Sequence, residues 1–278
     1  MKQASTENVG HEIQHETTLF AEPILEFENF TITNSLLNSF ATVIILVLLF
    51  IFAGRKAKQI PRGIQNFFEM ILEGALNFAD TITGSRKSSK RFLPIVLSLF
   101  LFILVNNWLG ILPGIGTVGF VDSHEGHKVF VPFFRGGTAD LNTTLALALI
   151  SIIASHVFGV ITIGAWKYLN RFINIQAILD IPSKIRKDPT VVLVNPIHTM
   201  VGLIEVVAEI AKVASLSFRL FGNIFAGEVL LTSMMALFAF ILPLPFMFME
   251  ILVGFVQALV FAVLVLVFLT MATTSQEH

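Results

Sequence analysis

Residues 215–231 read SLSFRLFGNIFAGEVLL, a run apolar enough to sit in a bilayer except where Arg219, Asn223 and Glu228 interrupt it. A cation at bilayer depth costs about 2.5–3.5 kcal/mol on insertion scales, so an arginine kept there must do something that a leucine cannot. Its guanidinium is never deprotonated in a protein, which excludes it as a stepping stone for protons. It is a fixed positive charge awaiting a negative partner. The ordinary alternative is a snorkelling anchor at a helix end, but Arg219 has apolar residues for well over a turn on each side, apart from Asn223 and the serines.

At about 100° per residue, Glu205, Glu209 and Lys212 fall within about 80° of Arg219, and Asn223 lies in the same sector one turn on. Glu228 comes out about 180° away, so carboxylates stand on opposite sides of the arginine; Gly222 and Gly227 lie between and permit bending. Glu250 and Gln257, seven residues apart in the last apolar segment, share a face within about 20°. Helix association in lipid uses small residues, Ser and Thr, whereas charges at this depth and spacing describe an ion pathway. Desolvation favours a protonated carboxyl and a nearby cation favours its ionised form. A mobile carboxylate passing Arg219 would shed its proton on approach and regain one on leaving, provided water reaches each side separately. That carboxylate has to come from a partner.

The chain of 278 residues is 55% apolar and 13% charged with 28 phenylalanines, the composition of a multi-span membrane protein. A net charge of −1 gives no reason to expect nucleic acid as a partner, and the absence of cysteine excludes disulfides and thiolate metal sites. No metal or cofactor is expected. The first thirty residues carry six glutamates and one lysine and no basic segment ahead of an apolar core, which reads as an acidic external tail rather than a cleaved signal peptide. The fold expected is an all-α polytopic membrane protein with an N-terminal tail over 1–35 and one membrane domain over 36–278. Spans are expected at about 36–53, 92–112, 143–166, 190–240 and 246–271, the last two long and steeply tilted. Between the first two, Ile64, Phe67, Phe68, Ile71, Leu72, Ala75, Ala79 and Ile82 recur at helical spacing against Gln65, Glu69, Glu73 and Asp80, which predicts an interfacial helix over about 63–82.

Thirteen of the eighteen Lys and Arg fall in 55–62, 86–91 and 167–187. The positive-inside rule then puts the N-terminus outside and the C-terminus in the cytoplasm after five crossings. Several polar residues have two readings. Asp140 and Asn142 open the third span, where the acid is either an N-cap or a proton port. His156, with Ser151 and Ser155, is polar at depth in that span and is either a pathway residue or a histidine satisfied by a neighbour. His124 and His127 in the external loop 114–137 lack a clear third ligand and read as solvated.

The segment SLSFRLFGNIFAGE closely resembles the signature of subunit a of F-type ATP synthases. The likeness extends in order and spacing through Asn106-Asn107 with Leu112-Pro113, residues 139–143 (ADLNT), Asn195-Pro196, Glu205 fourteen residues before Arg219, and the Gln257 segment with Met271-Ala272. The resemblance implies the membrane stator of a rotary motor, with Arg219 facing a carboxylate on a ring of c subunits. It implies Asn223 and Gln257 as polar neighbours of that arginine, and Glu205, Glu228 and Glu250 as residues lining two half-channels; Glu209, Asp140, Asn142 and His156 are the further pathway candidates. Family members commonly carry histidine at the position of Glu250. The expected partners are the c ring, peripheral-stalk b subunits, the remaining synthase subunits and the lipid bilayer, in a bacterial plasma membrane. The chain itself carries no ATP chemistry. The alternative is a secondary transporter holding an anionic substrate on Arg219, although such proteins show inverted repeats and broken helices, which are not visible here.

Overall fold

The computed structural model describes residues 20–27, 30–54, 63–112, 118–124, 127–173, 191–238 and 241–274. The acidic tail before residue 20, the basic stretch 55–62, the connection 174–190 with Lys184, Arg186 and Lys187, and Glu125 of the external loop lie outside them. The helices are α1 (Asn34–Gly54), α2 (Ile64–Thr83), α3 (Arg86–Ile111), α4 (Leu141–Ile163), α5 (Ala165–Ile173), α6 (Val191–Leu237) and α7 (Pro243–Thr273). Two short antiparallel hairpins accompany them, β1 (Pro23–Phe27) with β2 (Phe30–Thr33) and β3 (Gly119–His124) with β4 (His127–Pro132). The sequence reading left both stretches as tail and loop. Each hairpin is brief and lies outside the apolar segments, which is why no span-scale periodicity announced it.

Among the described residues, four helices are long and apolar enough to cross a membrane: Asn34–Phe52, Arg86–Ile111, Leu141–Ile163 and Pro243–Thr273. The fold is that of an all-helical polytopic membrane protein. α6 is different in kind. It continues unbroken for 47 residues, about 70 Å at 1.5 Å per residue against a hydrocarbon core of about 30 Å, and carries Glu205, Glu209, Lys212, Arg219 and Glu228 along its length. A helix of that length must tilt or run beyond the bilayer. α7, of 31 residues, lies at the centre of the bundle, where Phe261, Val265 and Leu269 are buried with Ile103 and Leu104 of α3, Ala148 and Ile152 of α4 and Leu220 of α6. α2 turns into α3 through Gly84, at φ 67°, and Arg86 closes the corner on Asp80 at 2.7 Å.

The end of the bundle that holds Asn106 and Asn107 is fixed by buried amides rather than by apolar packing. Asn106 Oδ1 accepts from the Gly137 N–H (2.7 Å) and from Asn38 Nδ2 (3.1 Å), and its own Nδ2 donates to the Ser39 hydroxyl (3.1 Å). Asn107 reaches the other way, donating to the Gly254 carbonyl of α7 (3.1 Å) and accepting from the Thr138 hydroxyl. Consecutive helix positions point about 100° apart, so this tandem joins α3 to α1 on one side and to α7 on the other, with the short 3-10 turn Gly137–Ala139 touching both. A Cβ on Gly137 would come within 2.6 Å of Ser39 and 2.7 Å of Asn106, so only glycine allows that turn to sit so close.

Asn106→Ala removes three partners at once from a buried site. Each orphaned group costs about 1–3 kcal/mol, so the detergent-solubilised protein should lose its fold at a clearly lower temperature than the parent. Thermal unfolding indistinguishable from the parent would show that the amide network does not hold that end of the bundle.

Candidate functional site

Arg219 stands on an exposed face of α6, and its Nη2 lies 3.3 Å from the Ser215 hydroxyl one turn back. Among the described residues it has no carboxylate partner. It borders an open groove of ≈ 310 Å³ between α6 and α7, whose other wall is Leu264 and Phe268 and whose lining runs back along α6 past Lys212 to Ala208. Spacings of three and four residues put Lys212, Ser215 and Arg219 along one stripe, so the groove follows the polar face that the sequence pattern defines. One turn beyond, Asn223 Nδ2 donates to Gln257 Oε1 at 2.6 Å and ties α6 to α7 beside the arginine. Gln257 is 4% exposed, and its Nε2 is buried without a partner among the described residues, a donor left open next to the fixed charge.

The outer cluster holds a residue that sequence reasoning missed. Arg135, 5% exposed, grips Glu228 with Nε at 2.8 Å from Oε1 and Nη2 at 3.0 Å from Oε2, and its Nη1 donates to the Phe20 carbonyl at 3.0 Å. Such a fork fixes both the position and the orientation of a carboxylate. A usable signal was present: five Lys and Arg lie outside the three basic stretches (Lys2, Lys128, Arg135, Lys212, Arg219), and a cation in an outward-facing loop runs against the charge pattern. Glu250, 4% exposed, lies against Gly227, the neighbour of Glu228 in the chain, and a Cβ there would overlap its carboxyl group. Glycine at 227 is thus a packing requirement for a carboxyl group on the facing helix.

The inner cluster joins three helices. Glu209 Oε1 is 2.7 Å from Lys212 Nζ, while its Oε2 is 3.8 Å from His156 Nε2 of α4. His156 Nδ1 is 2.7 Å from the hydroxyl of Tyr168 on α5. Glu205 sits half-buried a turn further toward the N-terminus of α6. Asp140 stands apart from these groups. Its Oδ1 accepts from the Asn142 N–H (3.2 Å) and its Oδ2 from the Thr143 hydroxyl (3.2 Å) and the Ser35 hydroxyl (3.3 Å), so it caps α4 and ties it to α1. The Asn142 side chain is exposed. The structure therefore brings together Asn223 with Gln257, Glu228 with Glu250, and Glu209 with His156, and gives Asp140 a structural set of partners. Among the described residues no group of His, Asp and Glu could hold a metal ion; the side chains of His124 and His127 lie outside the described set.

Comparison with known proteins gives one consistent result. The sequence pattern of the family described as "ATP synthase A chain" matches residues 36–270. Proteins named ATP synthase subunit a are similar over most of their length: that of Syntrophobacter fumaroxidans is 34% identical over 232 residues, covering 81% of this chain and 79% of the relative. That of Campylobacter jejuni is 32% identical over 237 residues (84% and 87%), and that of Citrifermentans bemidjiense 34% over 224 residues (81% and 80%).

Removing Arg135 leaves a carboxylate whose side chain is 29% exposed without its cation. Breaking a fully buried pair costs about 3–5 kcal/mol; with water reaching Glu228, Arg135→Ala should cost about 1–3 kcal/mol of stability. Combined with Glu228→Gln the loss should be smaller than the sum of the single losses, as read from a double-mutant cycle in chemical unfolding. Strict additivity would show that the two groups do not act as a pair.

Proposed function

We infer that this chain, which belongs to the ATP synthase A chain family, is the ion-translocating stator subunit in the membrane sector of a rotary ATP synthase, where Arg219 faces the carboxylate of a passing ring of c subunits. It is a membrane-embedded multi-pass protein that works within the synthase complex. The observation that carries the reading is that Arg219 lies exposed on an open groove while its neighbours on α6 have charge partners of their own, Glu209 with Lys212 and Glu228 with Arg135. The missing anion belongs to a partner, and a ring of hairpin subunits supplies one at each step of rotation. The fixed charge ionises the incoming carboxylate and repels a proton that would cross the groove without riding on the ring.

On this reading water enters from outside toward Glu228, Glu250 and Gln257, and leaves to the cytoplasm past Glu205, Glu209 and His156. Asn223 and Gln257 hold the helix pair in register beside Arg219. Glu228, clamped by Arg135, shapes the outer path, and Glu250, which has no ion pair among the described residues, is the carboxyl group free to exchange a proton there. Asp140 and Asn142 support the path from the end of α4. The N-terminus is placed outside and the C-terminus in the cytoplasm of a bacterial plasma membrane, with five crossings once α6 is counted, a tail over 1–35 and one membrane domain over 36–278. The b subunits of the peripheral stalk and the remaining synthase subunits complete the assembly. No metal or cofactor takes part and no ATP chemistry resides in this chain. That reading displaces the secondary transporter.

Membrane vesicles carrying Arg219→Ala should lose coupled synthesis while the chain remains inserted, and should leak protons passively under an imposed potential with rotation blocked. The driving force is about 2.3 kcal/mol per charge for each ~100 mV, so an open path discharges the gradient without turning the ring. Arg219→Lys should also fail, because a compact ammonium lacks the planar fork and can change its own protonation. Near-normal coupled synthesis from the Lys variant, or Arg219→Ala vesicles as proton-tight as the parent, would overturn the assignment. In the cysteine-free background a single Cys at position 250 should react with aqueous reagents from the outer side; reaction from the cytoplasmic side alone would reverse the two paths.

A further inference from the structure

The groove beside Arg219 does not end at Lys212. Lys212 Nζ lies 5.2 Å over the ring of Phe268 and holds Glu209 at 2.7 Å, and Glu209 turns its second oxygen toward His156 Nε2 at 3.8 Å, a gap that a small side-chain rotation or one water closes. The opposite ring nitrogen is fixed by Tyr168. That tyrosine is 4% exposed and its ring lies directly on Gly159, where any Cβ would overlap it, so the backbone of α4 is shaped to admit it. The side chains of His156 and Glu209 are 33% and 18% exposed, so the pair opens to the surface of the chain while Tyr168 is sealed.

From these contacts we infer that protons leaving the Arg219 groove reach the cytoplasm through Glu209 and His156, with Nε2 of His156 as the shuttle atom and Tyr168 as the residue that positions the ring. The inference rests on the stator reading above and adds to it a route through α4 and α5, away from the ring. In each cycle a proton released to water in the groove binds the Glu209 carboxylate, passes from Oε2 to Nε2, and leaves the imidazolium for cytoplasmic water. Carboxylate and imidazole end as they began, and one proton has moved. Histidine suits this step because one ring nitrogen can take and give a proton while the other is held by a fixed partner. Among the described residues, the charged and titratable groups nearest it are Glu209 and, through Glu209, Lys212 from α6, and Tyr168 from α5. α7 presents the apolar ring of Phe268, and Arg91 of α3 is turned to the far flank of α4, over Phe158 at 5.1 Å and bonded to the Thr162 hydroxyl at 3.0 Å.

The test uses the complete synthase in inverted vesicles, whose bath is the cytoplasmic side. His156→Gln keeps a polar side chain beside Tyr168 and cannot carry a proton, so ATP-driven proton pumping should fall about 100-fold, the lower end of what losing a positioned acid-base group costs. Its dependence on bath pH should flatten while its dependence on lumen pH stays as in the parent, and imidazole in the bath should restore most of the rate to His156→Ala. Parent-like pumping and bath-pH profile in His156→Gln would overturn the relay. Should that variant fail to assemble, Tyr168→Phe leaves the imidazole present but unfixed and must change the bath-pH profile; an unchanged profile overturns the relay equally. Arg219→Ala vesicles tested alongside separate the two readings. Coupled pumping in them defeats the stator assignment, whereas its loss together with a parent-like His156→Gln defeats only the relay.

Discussion

A guanidinium on an apolar helix with no carboxylate partner among the described residues is an incomplete interaction, and the described part of the bundle is arranged so that it stays incomplete. An acid of this chain within reach of Arg219 would form a closed ion pair, stabilise the isolated subunit and remove the charge from use. Instead Glu209 is occupied by Lys212, Glu228 by Arg135, and Asp140 by three hydrogen-bond donors at the start of α4. Among the described residues, the hydrogen-bond partner of the guanidinium is Ser215, a neutral hydroxyl. The desolvation cost of the arginine is thus left to be offset by something that arrives and departs, which a permanent partner could not do.

Keeping a charge available also demands that its position be fixed, and here the polar residues act as geometry. The Asn223 to Gln257 hydrogen bond sets α6 against α7 beside Arg219, and Asn107 bonds to the Gly254 carbonyl three residues before Gln257. Asn106 carries the same constraint outward to α1 and the 3-10 turn. Inside a bilayer, apolar contacts do not discriminate strongly between one helix register and the next, because lipid offers the same environment as a leucine side chain. Directional amide contacts do discriminate. The buried Asn38, Asn106 and Asn107 accordingly lie between helices, at the points where register matters.

Much of this was legible in the sequence. The apolar runs gave the helices, because a segment about twenty residues long without charge has few other options. The polar stripe on α6 could be read from the 3.6 period, and Asn223 bonds to Gln257 across adjoining helices one turn beyond Arg219. The hairpins around residues 23–33 and 119–132 were not legible, since short strands in polar stretches leave no long-range pattern. Arg135 escaped because its meaning lies in a partner 93 residues away, and periodicity reports only on residues of the same helix. Tyr168 escaped for a related reason: the sequence marked His156 as polar at depth, while the neighbour that satisfies it comes from the next helix, folded back past Gly164 at φ 95°.

The two outer glutamates show why residue type alone cannot assign a role. Both are carboxylic acids near the outer ends of long apolar helices, and the helical wheel treats them alike. The structure separates them by what each touches. Glu228 is held by a bidentate cation, a contact in which giving up charge would weaken three charge-assisted hydrogen bonds at once and leave the buried Arg135 without its counter-charge. Glu250 is set against a bare stretch of helix backbone at Gly227, with no cation among the described residues. A group anchored in this way defines the shape of a path, and a group without such an anchor can change its proton occupancy at less structural cost. The assignment of different tasks to two chemically identical side chains therefore rests on one arginine and one glycine, neither of which carries any part of the ion itself.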